Sequence, residues 1–578
     1  MKLPDIRAGL SASRRALSSL KDFKTFFHDF APWFAVALLV LIVYFWDLGT
    51  YGLIDPDEGR YSEIPREMIE SGDFVTPRLN YVKYFEKPAL HYWLTAASFV
   101  ALGQNEFAAR LCPVLMGMGG CLLTLALARR MTRSTRGGGL AAAVLASSLL
   151  WYALSRINII DMTLTFFFTL AMAGYRLWLD AVPAQGKPAQ QGRWWILLFY
   201  AGMALATLSK GLIGIVLPGG IAVLHLAATM KTRGGRTLLR LFSPWGMALY
   251  FLLTVPWFRA VCAANPDFFD FFFIHEHFTR FLTTAHDRWE PFWFFIPILL
   301  AGFVPWTGML LDAFHAARGK WGILSRDDGL FLGLWFGLPF LFFSLSGSKL
   351  IPYILPCMPP LAILIGAAFE GLLREAPGAR RIIRRFIGLN ALILIPLALA
   401  GVLYPMFSEG QEHLLPVTLP LSASLTLFWL ASFVLLWSRG DGFLLLCVLA
   451  LVMLLSAEPG FDVSARRNSP RSLAAVVSEN IQPHDTLVAY RNPMQGLGFY
   501  MKRRLVVADH LGELEFGAAQ EDDPRWFLST LQLRKLWNGP DRVLLVAQAR
   551  QLPDLTRALG REPVQLGEAG RTILFSNF

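Results

Sequence analysis

Charge is what this chain has least of. Only 16% of its 578 residues are Asp, Glu, Lys or Arg, against 54% hydrophobic, where a soluble protein carries about a quarter charged. With a mean hydropathy of +0.45, a single water-soluble domain of this length is excluded. Cysteine is also scarce. The five, Cys112, Cys121, Cys262, Cys357 and Cys447, lie in or beside apolar segments with neither metal-ligand nor disulfide spacing, so they read as small core residues. A zinc-protease HExxH is missing, because the histidines of "IHEHFTRF" (274–281) stand two apart and share no helical face. No small-residue cleavage site follows the first apolar run, "WFAVALLVLIVYFWDLG" (33–49), which is expected to be a permanent span.

What is there is one apolar run after another. A span needs about 20 apolar residues, and thirteen stretches qualify: roughly 33–49, 107–128, 138–155, 160–179, 194–209, 211–229, 243–262, 292–313, 329–346, 350–373, 386–404, 418–438 and 441–457. The stretch 89–103 is either a further span or a helix lying in the interface. Lys and Arg outnumber Asp and Glu by 53 to 42, and the excess sits in every second short loop, such as "RRMTRSTR" (129–136) and "RRIIRR" (380–385). Alternation of this kind marks cytoplasmic loops, and it removes nucleic acid as a partner. The expected fold class is therefore a polytopic α-helical membrane protein: residues 1–457 form the membrane unit with a large first outer loop (50–106), and 458–578 form a second unit on the same outer side. That last unit has short β-like runs, "TLVAY" (486–490), "RLVVA" (504–508), "VLLVA" (543–547) and "TILFS" (572–576), alternating with helical stretches, which predicts a small α/β domain.

The unusual polar residues fall on that outer side. "DPDEGRYSEIPREM" (55–68) brings Asp57, Glu58 and Tyr61 just after the first span, and "YFEKP" (84–88) brings Tyr84, Glu86 and Lys87. Asp161 and Lys210 sit at the mouths of two spans, His275, His277 and Arg280 lie in the loop 263–291, and Lys349 and Tyr353 lie between two spans. Each has an ordinary alternative, since a charge at a helix mouth is commonly solvated or snorkels to the headgroups. Asp161 and Lys210 stand out because apolar sequence flanks them closely and unpaired charge there is expensive. A divalent metal such as zinc at Glu86 with His275 or His277 is open, as imidazole and carboxylate suit that ion. Glu63, Arg66 and Glu67 recur at helical intervals and predict the wet face of a juxtamembrane helix. Acids and bases from six segments thus meet one interface. A transporter would be expected to hold them at mid-membrane, whereas this arrangement suits chemistry on an amphiphile whose anionic head meets Lys and Arg.

"DPDEGRYSEIPREM" and "YFEKP", followed in order by "IID", "PDFFDFFFIHEHFTRF", "PFWFFIPILLAG" and "SKLIPYILP", resemble the bacterial 4-amino-4-deoxy-L-arabinose lipid A transferases. These are GT-C glycosyltransferases, cousins of the protein O-mannosyltransferases. The resemblance covers the membrane region, while the last domain matches in position and general type only. It implies a GT-C fold, an inner-membrane enzyme facing the periplasm, an undecaprenyl-phosphate-linked amino sugar as donor and lipid A phosphate as acceptor, with polymyxin resistance as the consequence. It also implies that Asp57, with Glu58 beside it, and Asp161 are the catalytic acids. Lys87, Arg280, Lys349 and Tyr353 would hold the polyprenyl phosphate, and Glu86 with His275 or His277 would hold a divalent metal. Tyr61, Tyr84 and Lys210 join the candidate substrate-binding set, and no organic cofactor is implied. Asp55 is outside the shared pattern and is expected to cap the following helix. A GT-C enzyme using another polyprenyl-phosphate sugar, or a lipid flippase, remains open at this point.

Overall fold

The computed structural model describes residues 32–182, 190–279, 290–319, 321–375, 378–408, 411–492 and 494–578, with the side chains of 190–191, 275–279 and 439–441 outside that set. Eight helices among the described residues are long and apolar enough to cross a membrane, and two further helix pairs pass that test together although bent. The remaining expected spans coincide with helices Pro32–Phe45, Gln190–Lys210 and Ile213–Ala228. The ambiguous stretch near 89–103 forms a 13-residue helix, Leu90–Leu102, shorter than the roughly 20 residues a crossing needs.

The two bent pairs show how broken helices survive in lipid, where every freed backbone group needs a partner. Thr135–Ala146 and Leu149–Ser155 meet at 66° and Phe295–Gly302 and Thr307–Ala317 at 113°. At the first break Ser147 and Ser148 donate their hydroxyls to the carbonyls four residues back, and the amide of Leu149 is satisfied by the carbonyl of Val304 in the second. Asn390 serves the second break from a third helix, accepting from the Gly308 amide at 3.0 Å and donating to the Pro305 carbonyl at 3.1 Å. Trp306 then locks the two bends together by donating to Ser147 Oγ at 2.8 Å.

Helices Ile160–Ala181 and Gln190–Lys210 approach through glycines. A Cβ on Gly174 would lie 2.5 Å from the Phe199 amide nitrogen, and one on Gly202 would lie 2.6 Å from that of Ala171. Small residues allow such backbone contact between membrane helices. Asp161 opens the first of these helices and Lys210 closes the second, so this packing sets their separation.

The first outer loop is ordered by helix Asp57–Ser71, a two-stranded hairpin of β1 (Arg78–Leu79) and β2 (Val82–Lys83), and helix Leu90–Leu102. The last span does not end in a loop. Helix Arg439–Ala457 passes with brief breaks into Pro459–Asn468 and Arg471–Asn480. The C-terminal sheet contains β3 (Thr486–Tyr490), β4 (Val506–Ala508), β5 (Phe527–Leu528), β6 (Val543–Gln548), β7 (Val564–Ala569) and β8 (Thr572–Ser576), in the order β5-β4-β3-β6-β8-β7. Strands β3 to β6 are parallel, and β8 runs antiparallel to β6. Leu487 and Ala489 pack on helix Arg471–Asn480, while Val488 and Tyr490 pack on Leu533, Trp537 and Leu555 on the other face. Both faces are covered, which is why these strands read as continuous apolar runs. The two missed here, β5 and β7, are short or edge strands without such a run.

The glycine contact gives a direct test. Gly202→Leu is expected to force the helices apart, lowering the melting temperature of the detergent-solubilised protein by several degrees and abolishing activity; Gly219→Leu, where a Cβ meets nothing within 4 Å, should leave both unchanged.

Candidate active site

Asp57 and Glu58 are neighbours with opposite environments. The Asp57 side chain is 55% exposed and pairs with Arg60 one turn on. Glu58 is fully buried. Its carboxylate accepts from Arg110 Nε and Nη2 at 2.8 Å each, and from the backbone amides of Ile54 and Asn158 at 2.9 Å. Four donors leave it no role facing substrate. The expectation that it stands beside Asp57 as a second reacting acid is replaced by a positioning role, because a buried carboxylate requires this degree of satisfaction.

Arg60 was not singled out from the sequence, yet it is the hub. Its guanidinium is buried, pairs with Asp57, pairs with Glu513 from the C-terminal domain, donates to the Tyr84 hydroxyl at 3.2 Å, and lies 5.0 Å from the Tyr61 ring centroid. Tyr61 lies within electrostatic reach of both Asp57 and Asp161, and its phenol is pushed up chiefly by burial. Tyr92 adds a fully buried hydroxyl that has no hydrogen-bond partner among the described residues, 6.1 Å from Tyr61 between ring centroids. Glu513 is invisible in sequence because it lies some 450 positions from Arg60.

On the opposite wall Asp161 pairs with Lys210, whose ammonium lies 4.4 Å from the Tyr353 ring centroid. Lys349 is buried and donates to the carbonyls of Glu290 and Ser346 at 2.7 Å each, leaving one of its three hydrogens for a ligand. Burial draws its pKa below the usual lysine value. Lys87 donates to the Glu86 carbonyl at 2.7 Å and stands 3.8 Å from that carboxylate. Arg280 and the side chains of His275 and His277 lie outside the described residues. Among the described residues no group of three His, Cys, Asp or Glu is arranged to hold a metal. Glu86 contributes one carboxylate, and beside it stands an ammonium.

Two expectations about the loop helix are overturned. Glu63, Arg66 and Glu67 are not its wet face, since each is only 2% exposed. Glu63 faces Gly498 of the C-terminal domain, Arg66 forks onto Glu63 at 2.7 Å through two nitrogens, Glu67 accepts from the Tyr81 amide of the hairpin at 2.9 Å, and burial pushes both glutamates up. Asp55 does not cap its helix; it accepts from the Gly496 amide across the seam to the C-terminal domain at 3.0 Å. The five cysteines are free, and all but the half-buried Cys262 are buried, as core residues should be.

Burial raises the Asp55 carboxyl to about 7, against about 4 in an unfolded chain. Between those values the folded state holds a proton that the unfolded state has lost, so stability falls as pH rises through the window. The melting temperature should drop from pH of about 4 to about 7, and Asp55→Asn should remove part of that drop, with Glu63 and Glu67 supplying the rest. Glu513→Gln should free Arg60 and lower kcat about tenfold or more without changing donor affinity; equal loss of both would reduce Glu513 to a folding role.

Known proteins resemble this chain along nearly its whole length. The family described as dolichyl-phosphate-mannose-protein mannosyltransferase matches residues 25–272, and the aminoarabinose transferase C-terminal domain matches 473–574. The chain is 32% identical over 496 residues to the undecaprenyl phosphate-alpha-4-amino-4-deoxy-L-arabinose arabinosyl transferase 2 of Pseudomonas fluorescens, covering 84% of this chain and 86% of that one. ArnT from Cupriavidus metallidurans, crystallised with undecaprenyl phosphate, superposes with a TM-score of 0.82 at 29% identity, covering 94% of this chain and 97% of that one. The apo oligosaccharyltransferase of Archaeoglobus fulgidus shares the fold alone, with a TM-score of 0.52 at 10% identity over 93% of this chain and 71% of its own. The resemblance therefore extends through the C-terminal domain, beyond the membrane motifs. This chain belongs to the undecaprenyl phosphate-alpha-4-amino-4-deoxy-L-arabinose arabinosyl transferases, a family of multi-pass membrane glycosyltransferases.

Proposed function

We propose that the protein transfers 4-amino-4-deoxy-L-arabinose from undecaprenyl phosphate to the phosphate groups of lipid A, with inversion, at the periplasmic face of the bacterial inner membrane. The observation that carries this reading is a carboxylate paired with a cation twice over, Asp57 with Arg60 and Asp161 with Lys210, beside buried phenols at one end of the bundle. The periplasmic assignment is supported by the loops: Arg130, Arg233 and Arg374 lie at the other end with Asp180, Asp327 and Glu370, and basic loops favour the cytoplasm.

The chemistry is one displacement. The bond between the anomeric carbon and the polyprenyl phosphate oxygen breaks, and a lipid A phosphate oxygen bonds to that carbon. Undecaprenyl phosphate departs as a monoester whose growing charge needs cations. Lys210 and Lys349 supply them from the described residues, with Lys87 and Arg280 as further candidates from sequence. The phosphate dianion favours the charged form of Lys349, reversing the effect of burial. The sugar carbon gains positive charge as its leaving group recedes, which Asp57 and Asp161 stabilise. The acceptor has a second phosphate pKa near 6 and is already anionic at neutral pH. Asp57 therefore orients acceptor and sugar rather than removing a proton. The product carries an amine where lipid A was bare anion, which weakens attraction for cationic peptides.

Mass spectrometry of lipid A from cells with and without the protein should show an increment of one aminopentose. Asp57→Asn and Asp161→Asn should each remove that increment while the purified variants still bind undecaprenyl phosphate. High pH should not rescue Asp57→Asn. Absence of the increment from the wild-type strain would move the assignment to another polyprenyl-phosphate sugar.

A further inference from the structure

Arginines on the C-terminal domain are mostly neutralised where they stand. Arg491 pairs with Asp509 and Asp554, Arg504 with Glu521, Arg542 with Asp485 and Arg557 with Asp554. Arg503, Arg534 and Arg561 are instead held by backbone carbonyls, and one further region gathers arginines that have neither. Where helix Pro459–Asn468 ends, the segment after β3, the end of β6 and the turn between β7 and β8 meet the start of the first outer loop. They enclose a cavity of about 230 Å³ bounded by Asp55 and Pro56, and a recess of about 470 Å³ adjoins it through Arg571. Arg467 and Arg571 line the cavity, and Arg550 lines the recess.

None of these three exposed arginines has a carboxylate partner among the described residues: Arg467 meets the His413 imidazole at 3.0 Å, and Arg550 donates to the neutral Gln548 at 2.8 Å. The one acid lining the cavity is Asp55, whose carboxylate is engaged by the Gly496 amide. Gln495 lines the cavity as well and is 8% exposed, and among the described residues its carboxamide has no hydrogen-bond partner, which leaves it to the solvent of the cavity. Guanidinium charge that no carboxylate cancels, beside a carboxamide that no protein group engages, suits a ligand with both phosphate and hydroxyl groups.

We propose that this cavity binds the phosphorylated sugar headgroup of the acceptor lipid, with Arg467 and Arg571 on a phosphate and Gln495 on the saccharide. The assignment rests on the transfer reaction proposed above. The cavity suits the acceptor better than the donor because arginine and amide side chains line it, whereas a prenyl chain needs aliphatic walls. The donor phosphate already has Lys210 and Lys349. Pro56 forms part of the wall and directly precedes Asp57, so a headgroup docked here stands at the entrance to the reacting centre.

The test uses full-length protein in nanodiscs, comparing wild type with Arg467→Gln/Arg571→Gln and with Gln495→Ala. Wild type should bind bisphosphorylated lipid A about tenfold or more tightly than dephosphorylated lipid A, a preference that the double variant loses. The double variant should raise KM for lipid A about tenfold, with kcat and donor KM within about twofold. Gln495→Ala should weaken both lipid A forms alike. An unchanged binding ratio in the double variant, an equal rise in donor KM, or competition by phosphatidylglycerol vesicles as strong as that by lipid A would each overturn the site. Wild type that binds lipid A but transfers nothing to it would defeat the proposed function and leave the cavity standing.

Discussion

The buried pair of Glu58 and Arg110 is the joint on which the outer half of this protein turns. Arg110 comes from the first long span and donates to Glu58 and to the carbonyls of Leu48, Tyr51 and Gly52. Glu58 returns contacts to Ile54 and Asn158, and Asn158 reaches on to Tyr61, Ser62 and His91. An ion pair this deep is favourable only when every lone pair and proton is used. Here they are, and the result is one rigid arrangement of the first loop over the helix mouths. Asp57 inherits its position from that arrangement, being the residue before Glu58.

Charge is distributed between the two ends of the bundle according to task. At one end, arginines close onto aspartates and glutamates in pairs that neutralise each other, as Arg176 does with Asp328 and Arg233 with Asp327. At the other, Arg60, Arg66 and Arg110 are paired likewise, but two lysines are held differently: Lys349 by two carbonyls, Lys210 by one carboxylate and an aromatic face. Carbonyls and rings orient a cation without cancelling its charge, so it remains available to a phosphate. The C-terminal domain takes part in this. Glu513 holds Arg60, and the seam at Asp55 and Gly496 holds the loop helix from behind.

The misreadings have a common cause. Glu63, Arg66 and Glu67 carry the spacing and chemistry of a solvated helix face, and periodicity alone cannot tell water from the hairpin at Tyr81 and the distant segment at Gly498 that pack there. Asp55 looks like a cap because the residues after it form a helix, but the donor it found is Gly496. Glu58 looks like a twin of Asp57 until burial separates them. Each difference concerns which surface meets which, and for the same reason no local pattern marks Arg60 or Glu513.

The sequence by itself determined the multi-pass membrane class, the α/β character of the last domain and the prominence of Asp161 and Lys210. Those follow from hydropathy and charge along the chain, which act locally: a run of apolar residues must enter lipid wherever the rest of the protein lies. Only the tertiary structure decided which carboxylate is enclosed by donors and which stays half exposed, because desolvation depends on neighbours brought together from distant segments. The difference between Glu58 and Asp57 is four buried donors, and no linear pattern records them.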